Sequence, residues 1–162
     1  MADLRSALEA DGFGEVITYL QSGNVVLTSR ASPGRVASDI NALIKKRFGF
    51  DIAVLVRSHA ELAAVVRSNP FASVAVDPRR YMVTFMSAVL PDAGVKRLHT
   101  VVAPQEPFAV IGREIYSWHP AGFGRSPLWE RLSAKTLGIA ATSRNWSTVT
   151  ALLALAGRPT AR

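Results

Sequence analysis

The chain has 162 residues, 49% hydrophobic and 19% charged, with no cysteine. That balance belongs to a folded globular protein and excludes a disordered, collagenous or disulfide-stapled chain. The formal charge is +7 and unevenly placed: residues 1–77 carry 8 basic and 8 acidic side chains, residues 78–162 carry 11 and 4. No acid follows Glu130, whereas Arg131, Lys135, Arg144, Arg158 and Arg162 do. Such a field favours polyanions, although an arginine-rich composition can place the same charge on an ordinary solvated face. His59, His99 and His119 lie far apart without metal-ligand spacing, so neither a metal nor a cofactor is expected. The opening segment lacks the apolar stretch of a signal peptide, and no apolar run approaches the ~18 residues that cross a bilayer. The expected location is the cytoplasm, with no membrane partner.

Leu4 and Leu8 stand one helical turn apart and Gly12 follows as a C-cap would, which predicts a helix over residues 2–11. EVITYL and NVVLT alternate around Gln21, Ser22 and Gly23 and read as a β-hairpin. Pro33 opens a helix with Val36, Ile40, Leu43, Ile44 and Phe48 on one face, closed by Gly49. Ile52, Val54 and Val56 predict a strand; Ser58 and Glu61 have capping-box spacing and start a helix that Asn69-Pro70 stops. YMVTFMSAV, residues 81–89, is apolar on both faces and reads as a central strand. Pro91 opens a helix to about Leu98, and FAVI and EIYSW flank a Gly112-Arg113 turn. Ser126-Pro127 caps a helix carrying Leu128, Leu132 and Leu137. Extended IAATS then leads to a last helix with Trp146, Val149 and Leu153 on one stripe, and a frayed tail over 158–162.

The order recurs: the helices opening near 2 and 91 are 89 residues apart, as are Gly23 and Gly112, while Arg57 and Arg144 are 87 apart. The reading is an α+β protein of two tandem ferredoxin-like (split βαβ) halves, residues 1–77 and 78–157, each with a trailing helix. The same offset places the first half's opening strand before Met1. That half is expected to lack it, through a misassigned start or a truncation, leaving unpaired strand edges for a partner or a second copy.

The runs TYLQSGNVVL, FGFDIAVLVRS, NPF at 69–71, GREIYSWHPAGFGRSPL and ATSRNW resemble the bacterial family known as domain of unknown function 1697. The resemblance spans about residues 3–155. It implies tandem ferredoxin-like units and no reaction, and this chain lacks the strand and glycine-rich turn, approximately ALLRGINVGG, with which members begin.

Two loops are candidate anion or nucleic-acid sites. Gly122-Phe123-Gly124-Arg125-Ser126-Pro127 combines a flexible turn, a helix start and a guanidinium suited to phosphate, but lacks the Lys-Ser/Thr ending of a P-loop and also reads as a plain turn. Arg144, Asn145 and Trp146 offer a base-stacking pair beside a cap, against a core role for the tryptophan. Tyr116 and Trp118 share one strand face, as in RNA-binding platforms, and either face of that strand is free to be core. His119, before a proline, reads as a surface turn residue. No nucleophile elbow or Ser-x-x-Lys pair is present, so no catalytic motif is found and enzyme status stays open. The leading expectation is weak binding of nucleic acid or a phosphorylated ligand by the basic half. The alternatives are an interaction module, self-associating or partner-completed, and an enzyme on a small anionic substrate.

Overall fold

Capping and apolar spacing account for most elements of the computed structural model, which describes residues 1–158. Beyond Arg158 the expected frayed tail lies outside the described residues. The chain divides into two units, one of Met1–Leu62 with the chain from Ala151 onward, the other of Ala63–Thr150. Among the described residues no helix is long and apolar enough to cross a membrane.

The first unit opens with α1 (Ala2–Ala10) and the antiparallel pair β1 (Gly14–Tyr19) and β2 (Asn24–Thr28), in register at Ile17 with Val26 and Tyr19 with Asn24. Next comes α2 (Pro33–Phe48): Ser32 Oγ accepts the Arg35 N–H, Pro33 fills the first turn, and Gly49 closes it in the left-handed region at φ 77°. Leu8, Val16, Val36, Ile40 and Ile44 form the core of this unit. The strand expected at Ile52–Val56 does not form. Val54 and Val56 do pack on that core, but the run is held by side chains of α2 instead of a ladder. Asn41 donates to the Ile52 carbonyl, and Lys45 pairs with Asp51 at 2.6 Å. The capping box is present at α3 (His59–Arg67): the Ser58 N–H donates to Glu61 Oε2 at 2.7 Å and the Glu61 N–H to Ser58 Oγ at 3.2 Å.

The second unit is built on an antiparallel four-stranded sheet. Its strands are β3 (Tyr81–Met86), β4 (Phe108–Ile111), β5 (Glu114–Trp118) and β6 (Ala141–Asn145), in the spatial order β4-β5-β3-β6. All six residues of β3 are buried, as an apolar run with two covered faces requires. One face, carrying Met86 and Ile115, packs against Leu98 of α4 (Asp92–His99), Leu128 of α5 (Pro127–Arg131) and Leu137 of α6 (Ala134–Leu137). The single helix expected after Ser126 is two, because Ser133 accepts the Thr136 N–H at 3.3 Å and starts a new one. On the other face Tyr81 donates to Asn69 Oδ1 at 2.7 Å and stacks on Trp146, which opens α7 (Trp146–Ala156), with ring centroids 4.9 Å apart.

Candidate functional site

Strand alternation puts Ser117 and the residue two beyond it, His119, on the helix-covered side of the sheet. There they meet Glu106, from the segment before β4, and Ser126, the N-cap of α5. All four are buried, His119 and Ser117 completely. His119 is thus no surface turn residue: Phe123 and Trp129 pack on its ring at centroid distances of 5.3 and 5.6 Å.

Hydrogen-bond inventory fixes the protons. Ser126 Oγ donates its one hydrogen to Glu106 Oε2 (3.1 Å) and accepts the Trp129 N–H (2.9 Å). Its 2.9 Å contact with His119 Nδ1 is therefore completed by a proton on Nδ1. His119 Nε2 lies 2.9 Å from Ser117 Oγ, whose hydroxyl donates to it while the ring is neutral. Burial favours that neutral ring, holding His119 below its ordinary 6.5 against the upward pull of the Glu106 carboxylate. Glu106 Oε1, 3.6 Å from Nδ1, has no hydrogen-bond partner among the described residues. A serine, a histidine base and a carboxylate in this relation have the parts of a hydrolytic triad. With Ser117 and His119 sealed from solvent, however, the network acts here by fixing the loop between β5 and α5. Sequence reading missed it, although the Ser117–His119 spacing at the end of a strand was a usable signal.

The sequence candidates are distributed around that network. Gly122 takes a φ of 81°, and Gly124 and the exposed Arg125 lie in a single 3₁₀ turn, Phe123–Arg125. The N–H of Ser126 is engaged by the Phe123 carbonyl at 3.1 Å, and its hydroxyl points into the core. Arg144 lies within β6 opposite Val83, half-buried, its Nη1 bonded to Thr142 Oγ1 at 2.6 Å and to the Ser143 carbonyl at 2.8 Å. Asn145 Oδ1 caps α7 by accepting the Thr148 N–H at 2.9 Å, and one face of Trp146 is taken by Tyr81. Arg144 and Ser126 lie on opposite faces of the sheet, so the structure does not bring the two loops together around one ligand. Tyr116 and Trp118 are buried at 1% and 7% exposure and offer no stacking platform. Tyr116 hydrogen-bonds the Val65 carbonyl at 3.0 Å, and burial pushes its phenol up to about 12.

Outside the network the surface of this unit is basic. Arg97, Arg125 and Arg131 are exposed, and none is in an ion pair among the described residues. Glu106 is withdrawn into the core, and Asp77 lies 3.5 Å from Arg80.

A family model described as "Protein of unknown function (DUF1697)" matches residues 1–116. The fold is similar to the solved structure of the conserved bacterial protein SP0830 from Streptococcus pneumoniae, at a TM-score of 0.72 and 18% identity over 96% of this chain and 88% of that one. No curated protein matches the chain.

Proposed function

The chain belongs to the DUF1697 family, and from that premise, which brings a fold and no reaction, we propose that its second unit binds phosphorylated ligands, nucleic acid among them. The observation that carries this reading is the set of exposed arginines that make no ion pair among the described residues, Arg97, Arg125 and Arg131, on a unit whose carboxylates are few and partly withdrawn. The candidate positions from the sequence add to them: Gly122, Gly124 and Ser126 hold the loop that presents Arg125, and Arg144, Asn145 and Trp146 form a separate edge. The order β4-β5-β3-β6 supports reading residues 78–157 as a split βαβ half, with 1–77 as its counterpart, working in the cytoplasm. Fluorescence anisotropy of a short single-stranded oligonucleotide tests the function. If about four phosphates are engaged, affinity falls roughly 50-fold between about 50 and 200 mM salt. No binding at the lower salt removes nucleic acid from the reading.

A second reading has its own observation. Among the described residues the sheet of the first unit has two strands, and the apolar run at 52–56 joins no ladder. A second copy pairing at that sheet would appear as a dimer in light scattering. A monomer throughout the micromolar range counts against it.

A further inference from the structure

A groove of about 190 Å³ opens within the second unit, between α4 and the α5–α6 connection. Its apolar lining includes Val101 and the buried Leu90, Leu98 and Leu137, the three leucines each no more than 6% exposed, and its polar lining includes Arg97, Arg131 and Thr136. The two arginines are 34 positions apart in the chain, and the fold alone brings them to one groove. Gly94 also lines it: a Cβ there would meet Leu90 Cδ1 and Cγ at 2.8 Å, so the helix carries its least helix-forming ordinary residue where it packs closely on Leu90.

These features constrain a ligand. An apolar floor beneath two guanidinium residues calls for a carbon body ending in an anion. A phosphate monoester, with about −1.5 to −2 charges at neutral pH and three acceptor oxygens, matches two planar donor forks, whereas a monocarboxylate leaves one cation unmatched. Size is equally restrictive. A cavity of about 150 Å³ takes up benzene, while drug-sized ligands fill roughly 300–1,000 Å³. A ring or short chain fits, and a whole nucleotide does not.

We propose that this groove binds a small organic phosphate monoester, its phosphate held by Arg97 and Arg131 and its carbon portion lying on Leu90, Leu98 and Leu137. The proposal rests on the phosphate-binding reading above and narrows its ligand class.

Titration of isotope-labelled protein with phenyl phosphate at constant ionic strength, followed by amide shifts, tests it. Saturable shifts are expected at residues 94–101 and 131–137, with inorganic phosphate and benzoate each at least about tenfold weaker. Arg97→Gln combined with Arg131→Gln, both on the surface, should weaken phenyl phosphate by at least about tenfold, and Arg30→Gln in the other unit should not. Absence of saturation to about 10 mM, unchanged affinity in the double variant, or benzoate binding equally well overturns the proposal. The oligonucleotide assay separates the two levels. Oligonucleotide binding without phenyl phosphate binding removes the groove alone, and loss of both removes the phosphate reading with it.

Discussion

Ser126 shows how one side chain serves two levels of structure. Its oxygen caps α5 through the Trp129 N–H, and its proton is donated to the buried Glu106 carboxylate, which takes no other side-chain hydrogen bond among the described residues. Ser126→Ala removes a cap worth about 1 kcal/mol and strips a buried charged group of its donor, a further loss of about 1–3 kcal/mol. Urea unfolding at pH 7 should show a loss of about 2–4 kcal/mol, and a change below about 0.5 kcal/mol would mean the network is not formed in solution. His119 adds a pH dependence. Its folded pKa is depressed below the unfolded 6.5, so the unfolded chain binds the extra proton first. Its contribution is complete above the unfolded value and is lost as pH falls below it, through the lower folded value. The midpoint of urea unfolding should fall over that window in the wild type and fall less steeply in His119→Gln. Equal slopes in the two proteins would assign the pH dependence to other groups.

At the scale of elements, Gly94 in α4 sets helix propensity against packing. Alanine is the better helix former by about 1 kcal/mol, but its Cβ would press on buried Leu90, and overpacking of that kind costs about 1–3 kcal/mol. Gly94→Ala is therefore expected to destabilise by about 1 kcal/mol net in urea titration; a stabilised variant would show that Leu90 yields freely. The elements that could be read from the sequence are those with local causes. The Ser32-Pro33 and Gly49 boundaries, the Ser58–Glu61 box and the FAVI and EIYSW hairpin each depend on residues a few positions apart. The failures are non-local. Ile52, Val54 and Val56 have strand alternation, but a ladder needs a neighbouring strand, and the run is pinned to α2 by Asn41 and Lys45. His119 looked exposed because a following proline suggests a turn, whereas its partners Glu106 and Ser126 are 13 and 7 positions away. The charge excess that points to anions was visible in the composition. The groove was not, since Arg97 and Arg131 come to line it only through the packing of α4 and the α5–α6 connection on the same core.

Across the whole molecule the decisive property is where the positive charge lies. Residues 1–77 are formally neutral, and the excess of 7 is carried by residues 78–162. If that excess binds phosphates, each arginine that contacts one releases condensed counterion, contributing about −0.7 to the slope of log affinity against log salt on a single strand. Arg125→Gln removes an exposed guanidinium from a loop that the Ser126–Glu106 bond holds in place, so the slope should become shallower by about 0.7 without loss of stability. Arg30→Gln removes the same charge from the first unit, at a position that is also exposed, and subtracts the same single charge from the net +7. A global, non-specific attraction would respond to both substitutions alike, because net charge is all it senses. A localised surface responds only to Arg125→Gln. Parallel salt titrations of the two variants by anisotropy thus distinguish a binding face from a merely basic protein, and matching slopes in both would decide for the latter.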